Sequence, residues 1–238
     1  TLSSGLVLRG MGEATSLRLV NSANGRMITS SAALSDVSFE HLVFNGNGAN
    51  QSDGAARDDR SLLFLENITG LSVVRATIKN CRHGAALRLN ACDRALYFGN
   101  RFLDNGAAGA AFIGDHSFIS NSDWYRVIGN YYESSTDTGT AQDGVQHSTV
   151  IGNIYNNCEL GVSVSNSTTR FSRWNVVTGN VIKGRGGGAG TSVGIKASTF
   201  GNPGPGNMKD VVLSSNQIQN CDRAMWIEEV DRILIKDN

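Results

Sequence analysis

The chain holds 238 residues, with 21 basic and 21 acidic side chains, a formal net charge of zero, 28 glycines and only 2 prolines. A balanced charge argues against a nucleic-acid binder, which needs a basic surplus to meet phosphates, and no apolar run approaches the ~18 residues that a spanning helix requires. Gly, Asn, Ser and Thr supply turns rather than helices, and no amphipathic stretch longer than a turn or two stands out.

In chain order, Leu17 to Val20 (LRLV) and Arg26 to Thr29 (RMIT) read as the first strands. The polar run Gly46 to Ser61 is too long for a tight turn and reads as a flap or groove wall. Its Asp53, Asp58 and Asp59 match no calcium-loop pattern. Residues 71–90 form a regular coil with Arg88 outward on its last strand. The next coil carries Ile113 to Arg126 as an insertion after its third strand. In the coil from Tyr131 the third strand is either Gly139 to Asp143, by spacing, or Gly144 to Ser148, by pattern. Gly184 to Val193 and Thr199 to Lys209 flank the strand Gly194 to Ser198. The first of these glycine-rich segments lacks the Gly-Lys-Ser/Thr ending and following helix of a phosphate loop.

One repeat runs beneath these segments. Taking the Asn of a Gly-Asn pair as the register, registers fall at Leu42, Ala76, Asn100, Asn130, Asn153, Asn180, Asn216 and Asn238. Three places before each stands Phe39, Val73, Tyr97, Val127, Val150, Val177, Leu213 or Ile235. Two places after stand Phe44, Ile78, Phe102, Tyr132, Tyr155, Ile182 and Ile218. The spacings, 34, 24, 30, 23, 27, 36 and 22, share a floor and vary only upward, as expected of a fixed unit with insertions confined to loops. Each unit reads as three short strands that cannot bury a face alone, so units must stack as a coil of parallel strands, ~4.8 Å per rung. Asn at the register tolerates a left-handed turn, and stacked amides can hydrogen-bond from rung to rung. Cys81, Cys158 and Cys221 each sit five places after a register. Cys158 and Cys221 are two coils apart, ~9.6 Å at that spacing, too far to bridge, so free buried thiols are expected.

The recurring VxGNxIxxxxxxxGVxV pattern resembles the parallel β-helix repeat of the pectate-lyase-like superfamily. Ser4 to Leu19 (SGLVLRGMGEATSLRL) is similar to the opening coil of pectate-lyase-type modules in secreted polysaccharide enzymes and phage tailspikes. The resemblance implies an all-β, single-stranded right-handed parallel β-helix over residues 1–238, an extracellular or virion-associated place, and a homotrimer if the chain is a tailspike. Because the chain starts and stops within coils, it reads as a segment of a longer protein. Fold does not imply function, and neither the paired-Asp and His-Gly set of polygalacturonase-like hydrolases nor the Arg-x-Pro-x-x-Arg of calcium pectate lyases is present.

Candidate chemistry falls on the third strand, whose flanking turns carry the large insertions. Its outward positions give Arg88, Asp115, Asp143, Lys196, Trp226 and Glu228. Hydrolysis needs two carboxyls ~5 to 9 Å apart, a role for Asp115 and Asp143. Elimination from a uronic acid needs a base, Lys196 or else Arg88, with calcium as the cation in a lyase; otherwise no cofactor or metal is expected. Arg88, Trp124, Tyr125, Trp226 and Glu228 are the expected polysaccharide contacts. His83, His116 and His147 are alternative bases, each more ordinary as a surface or hydrogen-bonded histidine, and Phe171 and Trp174 read as core covers. Three functions follow: a polysaccharide lyase or glycoside hydrolase, a non-catalytic polysaccharide- or receptor-binding shaft of a tailspike or adhesin, or a purely structural scaffold with no ligand.

Overall fold

The computed structural model describes residues 2–51, 61–82, 84–105, 114–185, 192–199 and 206–238. Asp53, Asp58, Asp59 and His83, most of the flap Gly46 to Ser61, and most of the two glycine-rich segments lie outside the described residues. Among those described, the chain winds as a right-handed parallel β-helix. A nine-stranded first sheet runs from Val7–Arg9 to Ile233–Lys236, an eight-stranded second from Ser16–Arg18 to Gln217–Gln219, and an eight-stranded third from Ile28–Ser30 to Arg223–Glu228. Every pairing between these strands is parallel and joins successive coils, which is why strands of three to six residues suffice. No described helix is long and apolar enough to cross a membrane.

Both apolar columns are in register. Phe39, Val73, Tyr97, Val127, Val150, Val177, Leu213 and Ile235 pair in sequence along the first sheet. Phe44, Ile78, Phe102, Tyr132, Tyr155, Ile182 and Ile218 do so along the second. Apart from the half-exposed Ile235, their side chains fill the interior, where Phe102, Tyr132 and Tyr155 stack face to face with centroids 4.7 Å apart at each step. A Cβ on Gly139 would run into the Tyr155 ring, so the third strand can pass this stack only as glycine.

The asparagine ladder forms, with one correction. Nδ2 of Asn100, Asn130, Asn153, Asn180 and Asn216 each donates to Oδ1 of the next asparagine at 2.7–3.0 Å. Each Oδ1 also accepts the backbone N–H of the coil before it. The left-handed conformation, however, belongs to the preceding residue: His41, Arg75, Gly99, Gly129, Gly152, Gly179, Ser215 and Asp237 all have φ of 50–64°. The Gly-Asn pair divides its labour, glycine making the bend and asparagine satisfying the buried backbone groups the bend exposes.

Other boundaries shift. The strands read as Leu17 to Val20 and Arg26 to Thr29 are Ser16–Arg18 and Ile28–Ser30, and Val7–Arg9 precedes both. The third strand of the coil at Asn100 is Ser117–Ser120, inside the segment read as an insertion, so the extra residues lie before that strand and not after it. In the following coil the strand is Thr138–Asp143, the reading from spacing, which leaves Gly144 to Ser148 to turn the chain back to the first sheet. All four cysteines are free. Cys158 pairs with Gly184 in register, and a Cβ on Gly184 would meet Cys221 Sγ, so one coil separates the two thiols. Burial pushes Cys158 up to about 12 and Cys92 up to about 11, making both inert as nucleophiles.

Candidate functional site

On the outer face of the third sheet, Thr29, Phe64, Arg88, Phe118, Ala141, Ser163, Lys196 and Trp226 stand in one column. Glu66, Asn90, Ser120, Asp143 and Ser165 form the column beside it, which Ser198 and Glu228 extend. At one end the Arg26 guanidinium lies 3.9 Å over the Phe64 ring, and Arg88 sits between Phe64 and Phe118 at 5.4 and 5.1 Å. At the other end Lys196 and Arg223 lie 5.4 and 5.0 Å from the Trp226 ring, whose Nε1–H donates to Glu228 Oε2 at 3.1 Å. Between the two ends the outward positions Ala141, Ser163, Ser165 and Ser198 are small and buried.

The structure therefore brings together Lys196, Trp226 and Glu228, and does not bring together Asp115 and Asp143. Asp115 precedes its strand, is buried, and accepts the Thr138 N–H at 3.3 Å. Asp143 ends the strand that begins at Thr138, five residues further on and so ~16 Å away along it. That exceeds the spacing either class of glycosidase uses. Arg88 lies four rungs from Lys196, ~19 Å, and serves a separate cluster. Tyr125 points inward, fully buried against Tyr97 with its ring edge-on at 5.0 Å. Among the described residues no group of three or more His, Cys, Asp or Glu gathers as a metal site.

His116 is also interior, beside Phe102 and Tyr132, and Asn105 Nδ2 donates to its Nδ1 at 3.0 Å. Burial pushes its pKa down to about 3, so it stays neutral in the folded chain. Between the ordinary value near 6.5 and 3 the unfolded chain binds the extra proton, and stability falls as pH falls, by about 1.4 kcal/mol per unit. Urea unfolding at pH 7 and pH 4.5 is expected to show the native protein losing about 3 kcal/mol more than His116→Gln, whose amide oxygen can still accept from Asn105. Equal losses would remove His116 from the interior.

The exposed chemistry lies where the chain passes from the third sheet into the first, Trp124 and His147 just before their first-sheet strands and Trp174 at the start of the strand Arg173–Thr178. Trp124 and His147 stack at 4.1 Å and 5°, and His147 and Trp174 at 4.5 Å and 21°. Trp124 is 59% exposed and Trp174 43% exposed, so neither covers the core. All three have left-handed backbone, as do Arg94 one coil before and Asp210 one coil after, with φ of 54–55°. Such a conformation costs a non-glycine residue roughly 1–2 kcal/mol, and here it is repeated on five successive coils. The turn fixes the Cα positions one rung apart, which is the spacing at which flat rings stack. Arg173 adds its guanidinium 4.1 Å from the Trp174 ring, and Arg170 pairs with Asp123 at 2.5 Å beside Trp124. The signal was present in the sequence: Arg94, Trp124, His147, Trp174 and Asp210 each stand six places before a register. Treating the aromatics singly, and the register as a guide to strands alone, hid that column.

No family model matches the chain, and no curated protein matches it. Solved structures share its fold. ORF18 of Geobacillus virus E2 is 13% identical with a TM-score of 0.57, covering 98% of this chain, which spans 48% of the virus protein. The Streptococcus pneumoniae surface protein and adhesin PfbA is 12% identical with a TM-score of 0.60, covering 98% of this chain and 86% of its own. DFA-IIIase from Arthrobacter chlorophenolicus A6, without its lid, is 13% identical with a TM-score of 0.50, covering 90% and 65%. The shared β-helix thus serves an adhesin in one case and an enzyme in another.

Proposed function

We propose that the chain is a non-catalytic polysaccharide-binding module of an extracellular or virion-borne adhesin or tailspike, with the Trp124–His147–Trp174 ridge as its principal contact. The observation that carries this is the exposure of two indoles in fixed orientation, held by stacking on a third ring and by a strained backbone. Large rigid aromatics give contact area with little entropy to lose on binding, and strain of this kind gathers at ligand clamps. The Lys196–Trp226–Glu228 cluster supplies a second aromatic and charged contact, on the outer face of the third sheet. The separation of Asp115 from Asp143 favours binding over hydrolysis. The competing reading is an elimination enzyme with Lys196 as base, because Lys196 lies 5.4 Å from the Trp226 ring, whose Nε1–H meets the Glu228 carboxylate.

The test is incubation of the full-length protein with a panel of neutral and acidic polysaccharides, following binding by co-sedimentation while recording reducing ends and ultraviolet absorbance. Binding of at least one polymer with neither signal is expected. Release of unsaturated uronates, abolished by Lys196→Ala and untouched by Trp124→Ala, would show a lyase instead.

A further inference from the structure

The ridge ends in a depression of about 420 Å³ lined by Trp174, Val176, Val212, Leu234, Asp210 and Arg232, together with Val211 and Ile233. Two columns build it. Val176, Val212 and Leu234 pair in register as outward residues of the first sheet and make an aliphatic floor. Two places before each stand Trp174, Asp210 and Arg232, which make a wall of one indole and one ion pair. Arg232 grips Asp210 through Nε at 2.5 Å and Nη2 at 2.7 Å. That fork uses two of the five guanidinium N–H groups and leaves the others, with the outer carboxylate lone pairs, facing solvent. The hydrogen bond from Arg232 holds Asp210 below the usual carboxylate range, so at neutral pH the pair carries balanced charge.

We infer that this depression takes one neutral pyranose ring bearing a methyl group, as a residue of the bound polymer. The inference rests on the ridge being a glycan-binding surface and names what its end selects. An indole wall suits the C–H face of a sugar ring. A neutral Arg–Asp fork offers donors and acceptors side by side, which suits adjacent hydroxyls and gives no advantage to a uronate. Three aliphatic side chains in one row offer nothing to a hydroxymethyl group and a dry contact to a methyl. The methyl can come from a 6-deoxy sugar or from an N-acetyl group, and the probes below separate the two.

The experiment is ligand-observed NMR titration of the full-length protein with the free sugars rhamnose, N-acetylglucosamine and glucose, of which only the last carries no methyl, alongside polymer binding. One of the first two is expected to bind about tenfold more tightly than glucose, the low end of what a methyl is worth in an apolar pocket. Which one wins identifies the source of the methyl. Val212→Asp and, independently, Leu234→Ser, both at outward positions, are expected to remove that preference while leaving the melting temperature within a few degrees. Equal affinity for the three probes, no binding of any, or a preference that survives both substitutions would overturn the inference. If polymer binding still falls in Trp124→Ala, the ridge reading stands without it; polymer binding indifferent to Trp124→Ala sinks both.

Discussion

Val177→Asp is expected to unfold the protein under conditions where Val176→Asp leaves it folded. Val177 is fully buried and packs in register between Val150 and Leu213 on the coils before and after it. A carboxylate there has no partner in an apolar column, and an unpaired buried charge costs several kcal/mol against a total stability of about 5–15. Val176 is the adjacent residue on the opposite face of the same strand and is partly exposed, so its carboxylate reaches water and the expected loss is below about 1 kcal/mol. In a coil stability is shared mostly between neighbouring rungs, so the damage from Val177→Asp should appear first as proteolysis near residues 150–213. Thermal melting with limited proteolysis distinguishes the two variants, and equal damage would mean that the strand faces the other way.

Asn153→Ala is the second large effect. Asn153 is fully buried. Its Oδ1 accepts from both the backbone N–H and Nδ2 of Asn130, and its Nδ2 donates to Val127 O, Ile151 O and Asn180 Oδ1. Truncation leaves the Asn130 N–H buried and unmet, at about 1–3 kcal/mol, and strips one hydrogen bond each from the Asn130 amide and the Val127 carbonyl, at about 1 kcal/mol apiece, so a loss of about 3–5 kcal/mol is expected. Asn207→Ala removes an exposed amide outside the ladder, which donates to Asp231 Oδ1 at 2.8 Å and which water can replace. Its expected cost is about 1 kcal/mol. Denaturant unfolding of the pair reads this difference directly, and equal small losses would show that the amides do not carry the ladder.

The interior was legible because its two columns repeat at fixed offsets from the register, and stacking enforces that repetition on Val73 and Val177 alike. The turn before the third strand obeys no such rule. A loop there adds residues without disturbing the stack, so offsets counted from the register drift past it. Asp115 was misplaced for this reason: the extra residues between Leu103 and Ser117 moved it from an outward strand position to the strand's buried approach. Asp143 and Lys196 escaped because their strands were anchored by glycines that must pass Tyr155 and Ile218 closely. Tyr125 and Trp124 show the remaining limit. They are neighbours in sequence, yet the left-handed turn at Trp124 sends one ring inward and the other out, and pattern alone does not say which.

Polysaccharide binding by the ridge is measured most directly as the affinity of the best-binding polymer of the panel for the native protein, for Trp124→Ala with Trp174→Ala, and for Tyr125→Phe as a folding-matched control. Losing both exposed indoles is expected to weaken binding by at least about thirtyfold, at about 1–3 kcal/mol for each aromatic contact, with the melting temperature little changed because neither ring covers the core. Tyr125→Phe should bind as the native protein does. Undiminished affinity in the double variant would contradict the account and move the site elsewhere on the coil.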